Sequence, residues 1–183
     1  MNRHIPTFSN RAGSRRRGFS LIEVVVVIVV MAIVAVTAVP AMSSAQATRR
    51  RIAGRQMARD LNYARERSIA TGTRHWVVIN AAADTYTMLI ENAANPGRAN
   101  ATAFTDPATG KAFSQALNAG EFAGVDIVSA SIGGGAGSEV GFDWLGSPYD
   151  STEAALGAAG TITLSGSQTV TIEPGTGLAR LSP

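Results

Sequence analysis

The chain contains no cysteine among its 183 residues. That excludes disulfide staples, cysteine-zinc sites and thiol catalysis, and it leaves the redox compartment open, because a cysteine-free protein suits either. Histidine is nearly as scarce: beyond His4 there is only His75, beside Trp76 on a predicted strand. With no base and nucleophile set around it, a structural or surface role is the reading for His75. No H-E-x-x-H, G-x-S-x-G or P-loop sequence occurs, since Gly110-Lys111 lacks both the earlier glycine and the following Ser or Thr. The run Gly133-Gly134-Gly135-Ala136-Gly137 precedes a predicted strand, so no helix N-terminus follows it to hold a phosphate. Asp143, Asp150 and Glu153 are the one set that could meet at a calcium ion, but their spacing fits no calcium loop. Catalysis, a metal and a cofactor are therefore not expected.

Acidic residues are missing from the first 18 positions, which hold Arg3, Arg11, Arg15, Arg16 and Arg17. Removing these five basic charges takes the formal balance from +3 to −2. The basic character therefore belongs to this tail and is poor grounds for a nucleic-acid-binding domain. With 45% apolar and 16% charged residues, the chain is that of a folded protein, not a disordered, collagen-like or many-pass membrane chain.

What the sequence does have is one long apolar run. Val24 to Val36 is apolar throughout, and from Phe19 to Met42 only Ser20, Glu23, Thr37 and Pro40 interrupt it. A helix over that stretch is about 36 Å long, enough to cross a hydrocarbon core of roughly 30 Å. A cleavable secretory signal has a similar layout, with the small residues Ser43-Ser44-Ala45 as its cutting site, but the run exceeds the usual 7 to about 15 residues and carries an acid near its start. A retained anchor is the expectation. Orientation does not follow from charge, because Arg49, Arg50, Arg51, Arg55 and Arg59 balance the five arginines ahead of the span. Glu23 needs explaining, since a carboxylate in hydrocarbon costs on the order of 3 kcal/mol. From position alone two readings stand: a functional intramembrane acid, or a side chain near the end of the span that reaches the headgroups.

Arg15-Arg16-Arg17-Gly18-Phe19-Ser20-Leu21-Ile22-Glu23, then the Val/Ile run and Pro40, resembles the prepilin processing and methylation motif of type IV pilins and type II secretion pseudopilins. The resemblance implies that a prepilin peptidase cuts after Gly18 on the cytoplasmic side and that Phe19 becomes the N-methylated terminus. Glycine at the cut lets the backbone enter a protease site closely. The resemblance also implies that Glu23 pairs with the terminal amine of a neighbouring subunit and so sets axial register. An orphaned buried charge costs several kcal/mol, so the pair matters by what its loss leaves behind. Pro40 removes a helical hydrogen bond and is expected to bend or loosen the helix.

After the span, residues 45–74 hold eight arginines against Asp60 and Glu66. Met57, Leu61 and Ala64 fall on one helical face, with Arg51, Arg55 and Arg59 on another, and Gly72 gives a natural end. The basic face either meets water, acidic faces of neighbouring subunits or lipid headgroups, with DNA last. Residues 75–183 carry three basic and ten acidic residues, a balance of −7. They read as β-rich: a hairpin from His75–Asn80 and Thr85–Glu91, an alternating stretch at Phe122–Ile132, and strands at Thr161–Leu164, Gln168–Ile172 and Leu178–Leu181. Ser165-Gly166-Ser167 is a short hairpin turn. Residues 92–120 and 147–160 read as long loops.

The resemblance extends into the head. Leu61-Asn62-Tyr63-Ala64-Arg65-Glu66-Arg67-Ser68-Ile69-Ala70, Phe142-Asp143-Trp144-Leu145-Gly146-Ser147-Pro148 and the closing Gly177-Leu178-Ala179-Arg180 are similar to the GspH/FimT group of minor pilins. The expected architecture is thus α+β and pilin-like, with a long N-terminal helix packed on an antiparallel β-sheet head. Its parts are a leader at 1–18, a transmembrane and assembly helix at 19–42, an amphipathic stem at 43–74 and a periplasmic head at 75–183. The implied partners are a prepilin peptidase, other pilin or pseudopilin subunits, an inner-membrane assembly platform and the lipid bilayer. The implied place is the bacterial inner membrane, single-pass with a cytoplasmic N-terminus, and a filament after assembly. The implied role is a minor subunit of a type II secretion pseudopilus or type IV pilus. A DNA-binding minor pilin is the alternative, and a secreted module cut near Ala45 a third.

Overall fold

A computed structural model describes residues 19–135 and 137–182, with the side chains of residues 36–43 outside that description. Gly18 therefore lies outside the described residues, as does the side chain of Pro40 with the bend expected there. The chain forms two compact units, residues up to Ala41 and residues from Met42 onward.

One helix, α1, is assigned from Leu21 to Thr71. It starts where Ser20 turns its carbonyl to the N–H groups of Glu23 and Val24, at 3.0 and 3.2 Å. Its unbroken Val/Ile opening is a poor helix former by propensity, and side chains 21–35 are all exposed. The helix stops at Gly72, whose φ of +66° is the left-handed geometry of a helix terminator and whose N–H reaches the Ser68 carbonyl at 3.0 Å.

From Met42 on, the amphipathic pattern dictates the packing. Ala53, Met57, Leu61, Ala64 and Ser68 are buried, at spacings of three and four, while Arg51, Arg55 and Arg59 are exposed. That buried stripe is part of one core with two antiparallel sheets. The first contains β1 (His75–Asn80), β2 (Thr85–Ile90), β3 (Thr102–Ala103), β4 (Ser114–Ala116), β6 (Glu139–Phe142) and β7 (Pro148–Tyr149). Its order is β3-β2-β1-β6-β7, with β4 also pairing β2. The second joins β5 (Ile127–Ser131), β8 (Gly160–Leu164), β9 (Gln168–Ile172) and β10 (Ala179–Ser182) in the order β10-β9-β8-β5.

Period-2 alternation sends Ile162 and Leu164 of β8, and Val170 and Ile172 of β9, into the core. Trp76 is buried because its partner across the β1–β6 ladder is Gly141. A methyl group on Gly141 would overlap the indole Nε1. The helix comes equally close at Gly54, where an added Cβ would lie 2.6 Å from Leu181 Cδ1 on β10.

The first hairpin, β8, β9 and the closing strand form at or within a residue or two of the expected positions. Gly166 and Ser167, with φ of +73° and +62°, supply the positive-φ residues of the β8–β9 turn. The structure differs at Phe122–Ile132. Phe122 ends a short 3-10 turn (Gly120–Phe122), and only Ile127–Ser131 is strand, with an irregular register between Ile127 and Ser129. The stretch 92–120 is more than loop, since β3 and β4 both add to β2 through its backbone. The antiparallel β head expected from the sequence is built as two sheets.

Candidate functional site

Of the sequence-predicted residues, Glu23 lies in the first turn of α1 and Phe19 two residues before the helix begins, while Pro40 falls within it. Phe19 and Leu21 are about four-fifths exposed, at 79% and 82%. Phe19, Glu23, Val24, Val27 and Ile28 line one shallow hollow of about 280 Å³. Helical spacing explains most of the grouping, since 23, 27 and 24, 28 are four apart, and Phe19 joins them from just ahead of the helix start. The fold thus brings the residue at the expected new N-terminus and the lone carboxylate of the apolar segment to one place. Around them Leu21, Ile22, every residue from Val24 to Met31, Ile33 and Val34 are exposed, a contiguous apolar surface of the kind that marks an interaction site. Among the described residues no helix is long and apolar enough to cross a membrane. The apolar run continues through residues 36–42, whose side chains fall outside the description.

The head holds its polar residues in structural pairs. Asp60, buried on the inner side of α1, accepts from Tyr86 Oη at 2.6 Å and from Gln56 Nε2 at 2.9 Å. Burial holds the Asp60 carboxyl above the usual carboxylate range, against the pull of those hydrogen bonds, and pushes the Tyr86 phenol up far beyond its ordinary value. The pattern around 57, 61 and 64 carries the signal for Asp60, an acid inside an apolar stripe. Asn62 bonds the backbone of Ala179 in both directions.

His75, expected in a structural or surface role, is buried. Its Nδ1 lies 2.9 Å from the Thr73 carbonyl and 3.2 Å from Ser68 Oγ, and its ring meets Phe104 edge-on at 5.3 Å. Burial lowers its pKa below 6.5. The three carboxylates weighed as calcium ligands are each engaged elsewhere. Asp143 accepts from the N–H groups of Leu145 and Ser147 and from Tyr149 Oη, at 2.7 to 2.9 Å. Asp150 caps its own turn at Thr152 and Ala154, and the Thr152 hydroxyl holds its carboxyl below the usual range. Glu153 pairs with Arg74 at 2.7 Å and accepts from the Arg98 N–H. Among the described residues no three metal-ligating side chains come together.

Comparison with known proteins places both ends of this description. The family profile of the prokaryotic N-terminal methylation motif matches residues 13–39. The minor pseudopilin EpsH from the type II secretion system of Vibrio cholerae is similar in structure. One of its structures aligns at TM-score 0.54 and 16% identity, covering 73% of this chain and 93% of that one. Another aligns at 0.52 and 15%, covering 73% and 95%. At that identity the likeness is one of fold. No curated protein sequence matches the chain.

Proposed function

We propose, from its place in the type IV pilin and pseudopilin family, that this chain is a minor pseudopilin that assembles into, or primes assembly of, a type II secretion pseudopilus. The observation that carries the reading is a methylation motif at residues 13–39 whose exposed apolar helix holds one carboxylate, Glu23, in the same hollow as Phe19. An apolar face of this kind needs covering, first by lipid and then by other subunits. The head, with the fold of EpsH, is what such an anchor would carry on the periplasmic side. The role is structural rather than catalytic.

In this reading the precursor lies single-pass in the inner membrane with its leader in the cytoplasm. A prepilin peptidase cuts between Gly18 and Phe19, and Phe19 is N-methylated. The new ammonium and the Glu23 carboxylate of an adjoining subunit then form an ion pair, so a subunit entering the filament is held in register by the cost of leaving either buried charge unpaired. Pro40 gives the helix freedom to adjust during that entry. The inner-membrane assembly platform and the other subunits are the partners. A DNA-binding minor pilin finds no support in the comparisons.

Glu23→Val tests the reading. With the cognate assembly system present, the variant is expected to be processed normally but to be absent from sheared filaments. Incorporation at the wild-type level would contradict the role given to Glu23.

A further inference from the structure

The outer edge of β10 is only partly covered. Ala179 directs its N–H and C=O to Asn62. In an antiparallel strand the residue two places on aims its backbone groups the same way, so Leu181 presents the next outward pair, and no side chain among the described residues meets it as Asn62 meets Ala179. Beside this edge lies a groove of about 600 Å³, with Ile52, Ala179 and Leu181 on its apolar side and Arg55, Arg59 and Arg180 around it. A second hollow of about 540 Å³ shares Ile52 and Arg55 and extends past Arg51 toward Gln168.

Among the described residues none of these arginines is in an ion pair. The two ion pairs among the described residues, Arg74–Glu153 and Arg98–Glu139, are elsewhere. Arg59 donates to the neutral Gln56 Oε1, at 2.7 Å, and feels the buried Asp60 carboxyl behind it without forming an ion pair. Arg51, Arg55 and Arg59 stand four apart on one helix face, a spacing at which like charges weaken a helix. Ile52 is 45% exposed among them.

We infer that this groove docks an extended acidic segment of a partner protein, which adds a strand to β10 at Leu181. In an extended segment alternate side chains point to opposite sides. The set facing the stem helix would bring carboxylates to Arg55 and Arg59, whose planar forks suit them, beside the apolar Ile52, and the other set would lie on the side of Arg180. Backbone pairing supplies affinity and the side-chain pattern supplies selectivity. A nucleic acid satisfies the arginines but has no peptide groups for Leu181. The proposal stands on the groove alone and is independent of leader processing.

The test uses the full chain in detergent micelles and fluorescence anisotropy of a labelled hexapeptide alternating glutamate and valine. The expected result is saturable binding, weakened about tenfold or more in Arg55→Glu/Arg59→Glu. The same peptide with N-methylated alternate amides, read on the wild-type chain, is expected to lose binding to a similar degree. A peptide alternating lysine and valine should not bind. The inference is overturned if the glutamate peptide shows no saturable binding up to about 1 mM, if the lysine peptide binds as well, if N-methylation changes nothing, or if a DNA duplex displaces the peptide and binds more tightly.

Discussion

The side-chain amide of Asn62 closes two hydrogen bonds on the backbone of Ala179, Nδ2 donating to its carbonyl and Oδ1 accepting from its N–H, both at 2.9 Å. An amide side chain here takes the place of a neighbouring strand and ties the middle of the stem to the edge of the second sheet. Arg65 adds a third link nearby, its Nε donating to the Thr176 carbonyl at 2.6 Å. Asn62→Ala leaves both groups of a buried Ala179 without partners, at a cost of about 2 kcal/mol. Asn62→Asp keeps the acceptor but turns a second oxygen toward the Ala179 carbonyl, so it should cost at least as much. Urea unfolding and loss of hydrogen-exchange protection at the Ala179 amide are the measurements.

Asp60 and Tyr86 give a pH dependence of one sign. Because burial raises the folded Asp60 value above 3.8, the folded state holds the proton more tightly than the unfolded one. Stability from this group is full below 3.8 and falls as pH rises through the raised value. Asp60→Asn lacks that titration. The stability of wild type minus that of Asp60→Asn should therefore become less favourable as pH climbs out of the acid range, measured by chemical denaturation at a series of pH values. Tyr86→Phe, which removes a donor from the buried carboxylate, should cost about 2 kcal/mol at neutral pH.

His75 gives the opposite sign. Burial lowers its folded pKa below 6.5, so the unfolded state binds the proton more readily. Stability from His75 is present above 6.5 and is lost as pH falls through the depressed value. His75→Gln should flatten that part of the stability profile. A profile of unchanged slope would mean that the ring is not desolvated as its position between Ser68 and Phe104 requires.

Gly141 faces Trp76 with no room for a methyl group. Gly141→Ala should cost about 3 kcal/mol, as overpacking of a tight core site does, and should move Trp76 toward solvent. Trp144 is 53% exposed and masks the signal, so the emission is read in a Trp144→Phe background. A red shift on Gly141→Ala is the expected result.

Much of this fold is legible in the sequence wherever a periodic pattern meets a strong stop. Met57, Leu61 and Ala64 before Gly72 specify the stem's inner face and its end. HWVVIN and TYTMLI, separated by a turn, specify the first hairpin. What escapes is set by contacts far apart in the chain. β3, β4 and β7 are two or three residues long and have no alternation to read; they exist because a neighbouring edge offers hydrogen bonds. Phe122 looks like a strand residue, yet Gly120 and Gly124, both with positive φ, turn the backbone there. At the candidate site, Gly18, Phe19 and Glu23 stand out because the chemistry is local to a few residues. The Asn62–Ala179 link spans 117 positions and leaves no local trace. Gly54 and Gly141 mark close approaches, but which residues approach them is known only from the fold.

The most direct test of the account is the intact mass of the chain extracted from membranes of cells with an active prepilin peptidase. The account predicts a species that begins at Phe19 and carries one added methyl group, and predicts that Gly18→Trp leaves the precursor uncut. A chain that keeps residues 1–18 in the wild type, or one that begins near Ala45, would contradict it.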